Sequence, residues 1–216
     1  MDIYTTIVGF FQSGGIFMYP IVLILALGLA IALERWLYLS KARITNQLVW
    51  KKLLPLLQNG DHQQAAQVAG KSKAALSRIL AYGINRARTS RRRDDVEIAM
   101  EEGLMEALPS LEKRTPYLAT FANIATLLGL LGTIIGLIQA FTAVANANPA
   151  EKADMLSASI SVAMNTTAFG LMVAIPLLLI YAVLQTRTTQ IVDSIEMASV
   201  KFLNMLTDRS PDRSAA

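Results

Sequence analysis

Three long uncharged stretches dominate the hydrophobic pattern of the chain. Residues 16–33, 117–145 and 155–186 contain no Asp, Glu, Lys, Arg or His. A helix of about 20 apolar residues spans the ~30 Å hydrocarbon core of a bilayer, and soluble helices seldom stay uncharged for so long. Together with the residues that flank them, these stretches predict three transmembrane helices, which cover residues 16–36, 116–145 and 155–186.

A longer segment of mixed polarity separates the first two spans. Residues 37–115 carry helical periodicity without a strand pattern, which predicts a helical domain. Its helices are expected at about 44–58, 61–69, 73–89 and 94–112. The pair Asn59 and Gly60 ends the first of these helices, and Asp61 can cap the second. The fold class is therefore all-α: a polytopic membrane protein with a helical extramembrane domain.

The remaining segments are short. Residues 1–15 predict an amphipathic helix at the periplasmic interface, which Ser13, Gly14 and Gly15 end. Residues 146–154 predict a polar periplasmic loop. Residues 187–216 predict a cytoplasmic amphipathic helix, which could extend the third membrane helix, followed by a disordered tail.

The placement of charge orients the chain. Residues 34–115 hold 15 of the 20 Lys and Arg residues against 9 acidic ones. Basic residues concentrate on the cytoplasmic side of membrane proteins. We therefore expect residues 37–115 and the C-terminus in the cytoplasm, with the N-terminus on the opposite side.

Glycines in the second span indicate close helix packing. Gly129, Gly132 and Gly136 are spaced by three and then four residues, so they share one helix face. Small residues at such spacing allow two helix backbones to approach closely. Gly170 of the third span is a further candidate packing residue. The face is either a tight seam with no other role, or a seam beside polar groups that line an ion path.

The third span is unusually polar in its first half, where Ser159, Asn165, Thr166 and Thr167 lie on more than one face. Such a helix is expected to meet protein or water on several sides. Prolines are expected to kink two of the spans, because a proline inside a helix removes a backbone hydrogen bond. These prolines are Pro20 and Pro176.

The composition argues against an enzyme. The chain has no cysteine, and no nucleophile–base pair, phosphate-binding glycine loop or metal-ligand cluster stands out, so neither a cofactor nor a metal is expected. Arg91, Arg92 and Arg93 precede an acidic series, a pattern that favours a solvated, charge-segregated helix over a nucleic-acid site. Because ion paths usually need an ionisable group at depth, and the spans have none, a conducting complex requires a partner that supplies it.

The sequences LLGLLGTIIGLIQAF (127–141) and TTAFGLMVAIP (166–176) resemble the ExbB/TolQ proton-channel family, which is related to the flagellar stator protein MotA. The resemblance extends over roughly residues 10–206. It implies a homo-pentamer in the bacterial inner membrane that surrounds an ExbD/TolR-like single-span partner carrying a membrane Asp. Ion flow through such a complex energises TonB or another envelope-spanning load.

The same resemblance implies site residues. Thr133 and Thr167 match the pore-facing hydroxyls of the family, and Thr166, Asn165 and Ser159 are expected to add polarity to the ion path. Val162 stands where transport-type members carry a glutamate. The transported ion is expected to be H⁺, with Na⁺ as the alternative. A TolQ-like envelope-maintenance subunit, a sodium-driven stator-type subunit and a non-conducting scaffold are alternative functions.

Overall fold

The computed structural model describes residues 14–90, 92–145 and 148–208, and within them it contains helices and turns without any strand. Three helical stretches are long and apolar enough to cross a membrane, which confirms the predicted fold class. The predicted amphipathic helix over residues 1–15 falls almost entirely outside the described residues. The described residues form six helices, which are α1 Met18–Asn59, α2 His62–Lys71, α3 Ala75–Thr89, α4 Arg93–Glu112, α5 Thr115–Ala145 and α6 Lys152–Asp208.

Helix α1 corrects two expectations. It runs unbroken for 42 residues, so the separate helix expected at 44–58 does not exist. Glu34, Arg35 and Trp36 indicate a membrane interface, but no Gly or Pro follows them before Pro55, so the backbone hydrogen bonds continue. Pro20 is the third residue of the helix, where its missing N–H would have no intrahelical acceptor, so it marks the helix start and not a kink.

Helix α6 is also continuous, over 57 residues, and it includes the C-terminal helix predicted from residue 187. Pro176 lies inside it, so the expected kink there stays a prediction. Between α5 and α6, residues 148–151 form a turn in which the Glu151 N–H donates to the Asn148 carbonyl over 3.0 Å.

The short connections follow capping rules with one exception. Gly60 has a φ of 78°, which ends α1, and the Asp61 side chain accepts a hydrogen bond from the Gln64 N–H at 3.0 Å, as predicted. The exception is Thr115, which is fully buried as the first residue of α5 and not its cap, and whose hydroxyl has no hydrogen-bond partner in the part of the chain that the structure describes. The preceding Arg114, with a φ of 68°, makes the turn.

The chain divides into two compact units, whose borders fall after Glu34, Lys113 and Val183. Unit 1 holds the first part of α1, all of α5 and the first part of α6. Its helices are apolar, and much of their aliphatic surface is exposed in the isolated chain. At its charged end, Arg114 pairs with Glu34 across 3.4 Å.

Unit 2 holds the remainder of α1 and α6 together with α2, α3 and α4. Its core consists of large aliphatic and aromatic side chains that are almost completely buried. On its surface, Tyr82 donates a hydrogen bond to Glu106, and this carboxylate raises the pKa of the Tyr82 phenol. The fully buried side chains include Leu53, Leu57, Ile79, Leu80, Ile84, Leu111 and Phe202.

Candidate functional site: a hydroxyl pair at a glycine seam

Helices α5 and α6 of unit 1 meet through backbone and not through large side chains. A Cβ atom added to Gly170 would lie 2.7 Å from the Ala125 carbonyl oxygen and 3.1 Å from the Gly129 Cα. A Cβ added to Gly129 would lie 3.2 Å from the Thr167 Cα. Because these neighbours are main-chain atoms, they cannot move aside without shifting a helix. Two of the predicted packing residues, Gly129 and Gly170, therefore lie against each other.

The seam continues toward the C-terminal end of α5. A Cβ on Gly132 would overlap the Thr166 side chain, and a Cβ on Gly136 would lie 2.8 Å from the Ala163 Cβ. Small residues on α6 thus oppose the glycines of α5. Of the small residues on α6, Gly170 was predicted to pack here, and Ala163, seven residues earlier on the same helix face, was not.

Two of the predicted ion-path residues meet at this seam. The Thr133 and Thr167 Oγ1 atoms lie 3.2 Å apart. Each also lies 2.7 Å from a carbonyl oxygen of α5, Thr133 from that of Leu130 and Thr167 from that of Gly129. The hydroxyl pair, as we call Thr133 and Thr167, is therefore held by helix backbone at both ends.

Each hydroxyl of the pair has one proton, whereas three hydrogen bonds are geometrically available. When both hydroxyls donate to carbonyls, their lone pairs face each other and form an acceptor for a cation or a proton donor. When either turns toward the other, a carbonyl oxygen is released. Rotation of a hydroxyl about its C–O bond is thus enough to change which oxygen atoms of the pair and its two carbonyls are left as free acceptors.

Thr166 does not join the pair. It is 2% exposed, and its hydroxyl lies 2.6 Å from the Gly14 carbonyl and 3.0 Å from the Val162 carbonyl. Its methyl group packs over Gly132. The position favours a packing role at the turn that precedes α1. Nothing in the sequence pointed to the Gly14 contact, because the two residues are far apart along the chain.

The other predicted polar residues lie along α6 at intermediate burial. Ser159 and Asn165 are both half-buried, and Ser159 lies eight residues before Thr167, which is about 12 Å along the helix. Val162 is 36% exposed and lies next to the Gly15 turn, where a Cβ on Gly15 would be 3.4 Å from its Cγ1 atom. The part of α6 that carries Val162 is accessible in the isolated chain.

This combination of a glycine seam and paired membrane hydroxyls agrees with comparisons of the whole sequence. Residues 71–197, more than half of the chain, match the MotA/TolQ/ExbB proton channel family. The chain belongs to that family. The match includes α5 and the part of α6 that carries Thr167, so the hydroxyl pair lies within the matched portion of the chain.

Individual relatives give the same assignment. A putative ExbB homolog of Methanothermobacter thermautotrophicus is 31% identical over 199 residues, which cover 91% of this chain and 69% of the relative. A putative ExbB-like protein of Synechocystis is 30% identical over 85% of this chain and 72% of its own length. The Tol-Pal system protein TolQ of Haemophilus influenzae is 36% identical over 50% of this chain and 46% of its own length.

Proposed function

We propose that this protein is the ion-conducting subunit of an ExbB/TolQ-type complex in the bacterial inner membrane, with residues 37–115 in the cytoplasm. The observation that carries the proposal is the hydroxyl pair, Thr133 and Thr167, placed between two spans that have no ionisable side chain. Hydroxyl oxygens can solvate a passing proton or cation, but they do not store a proton at neutral pH. The pair is therefore one wall of an ion path.

The missing titratable group comes from a partner. We infer a single-span protein with a membrane Asp, enclosed by several copies of this chain, five by analogy with the family. The glycine seam supports such an arrangement because it joins α5 and α6 into a rigid pair. Energy from ion flow then reaches TonB or a comparable envelope-spanning load. Membership of the family, which is named for proton channels, supports H⁺ as the ion.

Thr167→Val tests this role because it removes the hydroxyl and keeps the branched shape. The variant is expected to reduce proton flux at least tenfold, in line with the loss of a group that solvates charge in a low-dielectric site. Flux is measured with a pH-sensitive dye in liposomes that contain the complex with its Asp-bearing partner. Thr167→Ser, which restores the hydroxyl, is expected to recover most of the flux.

Thr142→Val is the matched control. Thr142 lies on α5 and is exposed, and its hydroxyl donates to the Ile138 carbonyl of its own helix at 2.8 Å. We expect normal flux from this variant. If Thr167→Val assembles and conducts like the wild type, the hydroxyl pair has no part in conduction. If Thr167→Val instead loses the flux driven by a Na⁺ gradient and keeps the flux driven by a H⁺ gradient, the path conducts sodium.

A further inference from the structure

A basic cavity of about 190 Å³ lies within unit 2, where α1 meets the start of α3 and the end of α4. The α1 residues that line this cavity begin at Tyr38, two residues after the end of the first predicted span. Three of the lining side chains are cationic and none is acidic. The cations are Lys41, Lys73 and Arg78.

The start of α3 adds to the positive potential of this cavity. Ala74 occupies the N-cap position and offers no side-chain hydrogen bond to the 15-residue helix. The dipole at such a helix start, together with its N–H groups that lack an intrahelical acceptor, attracts anions. Both Ala74 and Ala75 line the cavity.

Asn46 provides an independent indication of a ligand. It is 4% exposed and lines the cavity, and its Oδ1 atom accepts the Leu76 N–H at 3.3 Å. That bond fixes the amide orientation and leaves the amide nitrogen as a donor. This nitrogen is buried without a hydrogen-bond partner among residues 14–90, 92–145 and 148–208. Because an unsatisfied buried donor is unfavourable, an acceptor supplied by a ligand would satisfy it.

We propose that this cavity binds the phosphate-bearing headgroup of an anionic phospholipid from the cytoplasmic leaflet. Lys41 is five residues beyond the end of the predicted first span at residue 36, which is about 7.5 Å along a helix. The headgroup layer extends roughly 5–8 Å beyond the hydrocarbon core on each side. The cavity therefore lies at headgroup depth, where Trp36 and Tyr38 also match the aromatic belt of membrane proteins.

The cationic side chains differ in how free they are to bind a phosphate. Arg78 already pairs with Glu106 at 3.3 Å, and both are about half-exposed. Lys41 and Lys73 are exposed lysines at the mouth of the cavity. We assign the main contacts with the headgroup to these two lysines and the amide nitrogen of Asn46, with Arg78 as a weaker, shared contact.

Lipid retention by the detergent-solubilised protein tests the site. Phosphatidylglycerol and phosphatidylcholine are titrated separately, and bound lipid is counted by native mass spectrometry. We expect preference for phosphatidylglycerol in the wild type. The double variant Lys41→Gln/Lys73→Gln is expected to weaken its affinity about 30-fold, because each cation near a membrane surface contributes roughly a factor of five.

The control is Lys51→Gln/Lys52→Gln, which removes the same charge from exposed positions of α1 outside the cavity. It is expected to bind phosphatidylglycerol normally. Equal losses in both double variants would overturn the site in favour of general surface charge, as would no loss in either. The variant Thr167→Val is expected to keep the lipid, which separates headgroup binding from ion conduction.

A lipid headgroup and a soluble compound can both present a phosphate group to this cavity. Competition with inorganic phosphate distinguishes between them. If the cavity holds a lipid headgroup, millimolar phosphate leaves bound phosphatidylglycerol in place, because its acyl chains also bind the apolar surface and detergent around the spans, a contact that free phosphate lacks. Displacement of the lipid by micromolar phosphate would overturn that assignment and make the cavity a site for a soluble phosphate compound.

Discussion

In unit 1, helices α5 and α6 approach through glycine backbone, whereas in unit 2 large side chains fill most of the space between helices. Gly103 is an exception in unit 2, because a Cβ there would lie 3.2 Å from the Ile79 Cα. The contact of Gly170 with Gly129 has backbone on both sides, while Phe202 and Met100 cover Gly83 with side chains. Lipid tails are as apolar as leucine, so spans gain from close packing and hydrogen bonds and not from the hydrophobic effect. A water-exposed unit gains mainly from burying apolar area.

The two units also differ in which polar groups they contain, because the spans of unit 1 carry hydroxyls and most charged residues lie in unit 2. In unit 1, the hydroxyls of Thr133, Thr166 and Thr167 all bond to main-chain carbonyls. In unit 2, charged side chains form exposed contacts, such as that between Arg78 and Glu106. Exposed ion pairs contribute little, typically below about 1 kcal/mol. We therefore expect the free energy of unfolding to be most sensitive to the addition of a single methyl group in unit 1, and to the truncation of large side chains in unit 2.

The largest effect is expected from Phe202→Ala in unit 2. Phe202 is 1% exposed and lies 3.0 Å, by its Cε1 atom, from where a Cβ of Gly83 would be. Removing a buried phenyl ring costs about 3–5 kcal/mol of unfolding free energy. Hydrogen–deuterium exchange should rise in α3 and α4 and stay unchanged in α5. Val200→Ala, at an exposed position of the same helix, is the control, and similar exchange in both variants would contradict a side-chain-packed unit 2.

Gly170→Ala is expected to have the next largest effect, in unit 1. The new methyl group would meet the Ala125 carbonyl and the Gly129 Cα, which are backbone atoms. Overpacking lowers the free energy of unfolding by about 1–3 kcal/mol. We expect a loss near the upper end of this range for Gly170→Ala, because the neighbouring backbone atoms cannot move aside. A lower thermal unfolding temperature in detergent and faster exchange in α5 are the expected results.

Gly70→Ala in α2 is the matched control for the same chemical change. Nothing lies within 4 Å of the added Cβ, so the helix should gain roughly 0.5–1 kcal/mol from the better helix former. If Gly170→Ala stabilised the protein as Gly70→Ala should, the close approach of α5 and α6 would be wrong.

The parts of the fold that could be predicted from the sequence are those set by local chemistry. Uncharged stretches indicated the spans, and Gly60 with Asp61 indicated the junction of α1 and α2. The end of the first span did not end the helix, because charge marks an interface whereas only a broken hydrogen-bond ladder ends a helix. The turn at Arg114 had no glycine to indicate its positive φ.

The candidate site was predictable only in part for a related reason. Thr166 and Thr167 are adjacent and chemically identical, yet they face different neighbours, the Gly14 turn and α5. Consecutive helix residues point about 100° apart, so each has its own environment. Which of the two faces a given neighbour depends on the packing of distant segments, and no local pattern encodes it.

The smallest and most specific effect is expected from exchanging a glycine and an alanine across the seam. Gly136→Ala alone would place its new Cβ atom 2.8 Å from the Ala163 Cβ. This close contact outweighs the gain in helix propensity, so the variant is expected to lose about 1 kcal/mol of unfolding free energy. Ala163→Gly alone costs a similar amount through propensity. The double variant keeps one Ala facing one Gly, so its unfolding temperature should return close to that of the wild type. Additive losses in this double-mutant cycle would show that the two positions do not touch.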